Sequence, residues 1–255
     1  MSKYDENMEL IRKAVRCEPV DRVPVVPCAN AYYAKSQGVL LKDYISDFDL
    51  ACETNLKELK RIGADGTQNV IFSPYLLGTQ WLSKAQYPGA GLGDDDMWQM
   101  AEAENMKFED YADIKKMGWD AWQKKFIAEK CDNNWENLQP YFAANPKAYA
   151  RFHEEGIPCI CDFLMITPFE YFCGGRSLEC FFMDDLMEEP ELMHEIFDMV
   201  LESNLKTYRQ QIIDTHAVGV WIGGWRSGPD LVSPDMIDEF VWPAFEAYYN
   251  LCMEM

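Results

Sequence analysis

At 255 residues, 48% hydrophobic and 26% charged, the chain is long enough for one large packed domain, and neither an internal repeat nor a linker divides residues 1–255. Its 43 acids against 23 bases leave a formal charge of −20, which repels phosphate backbones and argues against nucleic acid as a partner. No apolar run is long enough for a membrane span, the polar and acidic Met1 to Asn7 are unlike a secretion signal, and the nine irregularly spaced cysteines read as reduced thiols, so a cytoplasmic protein is expected.

The first helix runs from Asp5 to Arg16, with Met8, Leu10, Ile11, Ala14 and Val15 at helical spacing. Glu18 to Arg22 break it. Val23-Pro24-Val25-Val26-Pro27 is a short extended run, and its prolines suit a strand start or edge. Asn30, Tyr32 and Tyr33 follow at once. Gly38 to Ser46 form a short helix, and Asp47-Phe48-Asp49 cap another that reaches Arg61 and ends at Gly63. Thr67 to Ser73, with Val70-Ile71-Phe72, is a second strand stopped by Pro74, which leaves Ser73 at its end. Tyr75 to Gly93 has no clear period and reads as a lid or an excursion with its own short strands. Asp94-Asp95-Asp96 do not alternate as calcium-loop ligands do, so they read as a solvated turn.

A helical region runs from Phe108 to about Lys130, and Asn145-Pro146 open another helix to Glu155. Ile157 to Phe163 form the third strand, with Asp162 near its end. Pro168 starts a short helix carrying Tyr171. Leu178 to Met187 are helical, and a longer helix follows Pro190 to about Asp214. Val218 to Ile222 are the fourth strand. Gly223-Gly224 end it where the backbone must turn or meet something closely. Trp225, Arg226 and Ser227 follow on a loop. Ser233-Pro234-Asp235 then start a last helix that runs to Met255.

Helices that alternate with apolar strands imply a parallel sheet with helical crossovers. In such α/β proteins the chemistry sits on loops at the carboxyl ends of strands. Arg226 could clamp an anion there and Trp225 could stack on a planar ring. Asn30, Tyr32, Tyr33, Ser73, Asp162 and Tyr171 are the other pocket candidates. Cys159 and Cys161, two apart on a strand, face one side and are the candidate metal ligands. No single residue stands out as catalytic.

Several segments, in order, resemble the uroporphyrinogen decarboxylase superfamily: Asp21-Arg22-Val23-Pro24-Val25, Gly63-Ala64-Asp65, Gly156-Ile157-Pro158, Gly174 through Asp185 with Glu189-Pro190-Glu191-Leu192, and above all Leu231-Val-Ser-Pro-Asp-Met-Ile-Asp-Glu-Phe-Val-Trp-Pro243. The resemblance implies a TIM-type (β/α)8 barrel with its pocket at the strands' carboxyl ends, often as a homodimer or other homo-oligomer. It also implies that this barrel is truncated at its C-terminus, ending before the family's later strands. The family's decarboxylases hold substrate carboxylates with two arginines, and Ala29 and Tyr33 stand at those places here. Neither can bind a carboxylate as arginine does. An aspartate of the family aligns with Pro74, and a serine with Gly224.

The corrinoid-linked methyltransferase branch is the closer likeness, through Tyr111 and its Phe-Glu-Asp-Tyr segment. That branch implies a methylated small-molecule substrate, a corrinoid carried by a partner protein, and zinc held by a His-x-Cys pair with a distant Cys. This sequence has no His-x-Cys. The expected function is therefore a methyltransferase component. Decarboxylation of uroporphyrinogen and a non-catalytic truncated barrel are the alternatives.

Overall fold

In a computed structural model covering residues 1–255, 59% of the chain is helical and 7% is strand. The strands are β1 (Ala85–Pro88), β2 (Gly91–Leu92), β3 (Gln99–Met100), β4 (Leu164–Ile166) and β5 (Trp221–Gly223). They are few and short, and they do not form a closed barrel. No helix is long and apolar enough to cross a membrane. The chain divides into two compact units: Met1–Pro74, Gln86–Gln99 and Leu138–Asp162 form the first, and Tyr75–Ala85, Met100–Asn137 and Phe163–Met255 the second.

In the first unit, helix Lys3–Val15 begins at a reciprocal cap: the Ser2 hydroxyl accepts from Asp5 N–H at 3.1 Å, and the Asp5 carboxylate accepts from Ser2 N–H at 3.1 Å. Asp47 caps helix Phe48–Ile62 by accepting from Leu50 N–H at 2.9 Å. Gly63 closes that helix in the left-handed region, φ 68°, where a side chain would be strained. The helix packs on Asn30–Ser36, Leu41–Ser46 and Gln139–Glu154. Leu41, Tyr44 and Leu59 are buried in this unit.

Three expected strands of this unit lie side by side without becoming full strands. Asp65 N–H donates to Val25 O at 2.8 Å, Gln68 N–H to Pro27 O at 3.2 Å, Thr67 N–H to Pro158 O at 2.9 Å, and Ile160 N–H to Thr67 O at 2.9 Å. The pairing of Thr67 with Cys159 is parallel. Pro24, Pro27 and Pro158 lack the N–H that would complete the ladder. The run at Val70–Phe72 leaves it as well, and the Asn55 side chain donates to Val70 O at 2.9 Å. β1 and β2 pair in parallel, Tyr87 with Gly91 and Pro88 with Leu92, so the excursion does contain short strands. Asp94 and Asp95 pair with Lys42 and Lys35, as a solvated turn would. Helix Gln139–Glu154 starts earlier than Asn145-Pro146 suggests. Pro140 supplies its first turn, while Pro146 sits inside it on the exposed side.

In the second unit, β4 and β5 pair in parallel, Leu164 with Trp221, Met165 with Ile222 and Ile166 with Gly223. The fourth expected strand is therefore real but begins later than Val218. Helix Pro190–Thr215 ends at His216, φ 49°, and packs on helix Trp242–Glu254. Both helices fasten β4: Tyr208 Oη accepts from Ile166 N–H at 3.0 Å, and Tyr248 Oη donates to Ile166 O at 3.1 Å. The expected helix over 108–130 is broken by Gly118 into Asp110–Met117 and Trp119–Lys130. Beyond Ser233, whose hydroxyl accepts from Met236 N–H at 3.3 Å, a π-helical turn over Ile237–Val241 interrupts the last helix.

Trp119, Trp122, Phe169, Phe172, Phe181 and Phe197 share one aromatic core in this unit. Beside it the buried Arg176 donates to both oxygens of Asp185 at 2.8 and 3.0 Å, and Tyr111 Oη donates to Asp185 at 2.7 Å. Burial pushes the Asp185 carboxyl up, while Arg176 and Tyr111 oppose it. These bonds give Tyr111 a structural role within this unit.

Candidate functional site

The loop beyond β5 is built on close approach. A Cβ at Gly223 would stand 2.5 Å from the Trp221 ring, which folds back over the backbone. A Cβ at Gly224 would stand 2.1 Å from both Glu170 Oε1 and Ser227 Oγ. Only glycine leaves room at either place. Gly174 is similar: a Cβ there would meet Trp81 O at 2.1 Å.

Glu170 is the anchor. It lies in helix Pro168–Gly175 and is fully buried. Its Oε1 accepts the backbone N–H groups of Arg226 at 2.9 Å and Ser227 at 3.0 Å. Its Oε2 accepts the indole N–H of Trp81 at 2.7 Å. A buried carboxylate requires such donors, and this set ties two other stretches of chain to one side chain.

Above this anchor sits a cluster of indoles. Trp225 lies 4.4 Å from Trp81, ring to ring, tilted 61°, and 4.3 Å from Trp221, tilted 32°. Trp225 is 51% exposed, whereas Trp81 is buried and Trp221 partly so. Arg226 does not reach outward as a free clamp. Its guanidinium donates to Glu102 at 2.6 Å and to Cys173 O at 3.4 Å. The glycine pair and the loop residues Trp225 and Arg226 were legible in the sequence. Glu170 and Trp81 were not singled out. The available signal for Glu170 was a lone acid in the apolar run Thr167 to Cys173.

Of the other sequence candidates, Tyr171 belongs to this unit, but its hydroxyl points to Tyr208 Oη at 3.4 Å, and burial holds its phenol well above the ordinary range. The remaining candidates lie in the first unit. Asn30 accepts from the Asn69 amide at 2.9 Å. Tyr32 is exposed and accepts from Arg61 at 3.4 Å. Tyr33 is fully buried, which pushes its phenol up to about 12. Ser73 is buried, and its hydroxyl has no hydrogen-bond partner. Asp162 is partly buried and adds to the burial and the Cys159 thiol that push Tyr149 up.

Zinc does not fit the thiol pair. Cys159 Sγ accepts from Tyr149 Oη at 3.4 Å and lies 3.4 Å from the carbonyl oxygens of Gln68 and of Cys161. Burial pushes this thiol up to about 11. No three His, Cys, Asp or Glu side chains converge to hold a metal ion, so Cys159 and Cys161 lack the further ligands that a zinc site needs.

No family model matches the chain, and neither a curated protein nor a solved structure does.

Proposed function

We propose that this protein is a (β/α) fold of the uroporphyrinogen decarboxylase type that works as a methyltransferase component. It binds a methylated small molecule and presents the methyl group to a corrinoid carried by a partner protein. The corrinoid, when bound by its carrier, supplies the acceptor for the methyl group. The residues of this chain bind and orient the donor. No step is assigned to zinc.

The observation that supports this reading is the loop beyond β5. Gly224 lets the backbone close onto Glu170, and that closure holds Trp225 against Trp221 and Trp81 with half of its surface open. A fixed, half-open indole at the carboxyl end of a parallel strand can hold a small methylated group by its face. Decarboxylation fits less well. Substrate carboxylates need free cationic donors, and Arg226 is already occupied by Glu102 and Cys173 O. The same reading includes a homo-oligomer as the working form.

Methyl transfer to reduced cobalamin tests this. The chain is incubated with cob(I)alamin and, in turn, methylated amines, sulfonium compounds and methoxylated aromatics. At least one donor should yield methylcobalamin, and Trp225→Ala should slow the reaction about tenfold or more. Failure of every donor class, or conversion of uroporphyrinogen to coproporphyrinogen, would overturn the assignment.

A further inference from the structure

We infer that the ligand of the Trp225 loop is a methylated cation, a quaternary ammonium or a sulfonium, held against the exposed part of the Trp225 indole. Its role as methyl donor rests on the methyltransferase reading, but the binding preference stands on the loop itself.

The face of an indole attracts cations because its π cloud is negative. Trp225 is half exposed and lies against two further indoles. Trp81 gives its N–H to the Glu170 carboxylate at 2.7 Å. Donation to an anion pushes electron density into that ring, and hydrogen-bonded groups polarise one another.

Charge favours a cation as well. The charged groups tied into the loop are Glu170, Glu102 and Arg226. Arg226 offsets one acid, and the other is left behind the indoles. The chain as a whole carries −20. A cationic ligand is therefore drawn to the loop, and an anionic one is repelled.

The leaving group also selects between donors. A methyl ether leaves as an alkoxide or phenoxide and needs an acid to protonate it. The charged side chains bonded at Gly223–Ser227 have none to offer. Both oxygens of Glu170 are taken by N–H donors, and Arg226 is held by Glu102. A quaternary ammonium needs no proton. The C–N bond breaks with its electron pair going to nitrogen, the amine leaves neutral, and an electron pair of the acceptor forms the new bond to carbon. A sulfonium leaves as a neutral sulfide in the same way.

Calorimetric titration of the full chain with choline and with 3,3-dimethyl-1-butanol, its uncharged carbon isostere, separates charge from shape. Choline should bind roughly tenfold tighter than the alcohol. Trp225→Phe should keep weakened binding and Trp225→Leu should lose it. Equal affinity for the two compounds, or choline binding that survives Trp225→Leu, would overturn the inference. If only neutral methoxylated donors yield methylcobalamin, the cation assignment falls and the methyltransferase reading stands. If choline binds as expected and no donor yields methylcobalamin, the cation site stands and the methyltransferase reading falls.

Discussion

Asp65 carries more of the first unit than its place after a helix end suggests. It is almost fully buried, and Arg22, itself more than half exposed, grips both of its oxygens. Val25 N–H donates to Asp65 Oδ2 at 2.8 Å, so one carboxylate ties the first extended segment to the second. Arg22 holds the Asp65 carboxyl below its usual range, helped by the Val25 N–H. A depressed acid in the folded state stabilises it above the unfolded value of about 4, and that stabilisation is lost as pH falls through the lower folded value. Asp65→Asn should therefore cost about 1–3 kcal/mol near neutral pH. Its deficit should shrink as pH drops below about 4, because the wild-type carboxylate is then being neutralised too. Urea midpoints of both proteins near pH 7 and near pH 3 decide this, and a deficit of constant size across that range would contradict it. The sequence showed Gly63-Ala64-Asp65 as a helix end and Arg22 as part of a break. It gave no sign that they meet, because 43 positions separate them.

Local chemistry made some elements legible. Asp47, Gly63 and Ser233 act where the sequence placed caps, since a cap needs only its near neighbours. The strands were harder to read. Apolar runs at Val23–Pro27 and Val70–Phe72 have strand composition, but prolines without an N–H interrupt the first, and the second has its Val70 carbonyl bonded to the Asn55 side chain instead of a neighbouring strand's N–H. The Gly223–Ser227 loop was readable as a close approach, though not what it approached. Gly224→Ala tests that closure. The added Cβ would stand 2.1 Å from Glu170 and from Ser227, and Glu170 cannot retreat without giving up donors it needs. A loss of about 1–3 kcal/mol is expected, together with a changed near-ultraviolet circular dichroism as Trp225 leaves Trp221 and Trp81. Gly228→Ala is the control, because its Cβ would meet only the Asp230 carboxylate, a movable side-chain end. Equal behaviour of the two variants would remove Glu170 as the anchor.

At the scale of the whole chain, composition was read more easily than organisation. The mixed helical and strand class followed from periodicity, whereas the two compact units did not. Each unit is assembled from separated stretches, so no single linker marks a boundary in the sequence. Charge is the property that belongs to the chain as a whole. Exposed pairs such as Lys206 with Glu202, at 2.7 Å, contribute little each. Pairing every one of the 23 bases would still leave 20 of the 43 acids over. Their mutual repulsion acts over distances that salt can screen, whereas buried bonds such as those of Glu170 and Asp185 are screened far less. Raising sodium chloride from roughly 0.01 M to roughly 1 M shortens the screening length from about 30 Å to about 3 Å. The folded state is the denser arrangement of these acids, so it should gain more from screening than the unfolded chain. The urea midpoint should rise with salt, and the thermal midpoint should follow. A midpoint that falls instead would mean that the surface ion pairs outweigh the acidic excess, and net charge would then be the wrong quantity for describing this molecule's stability.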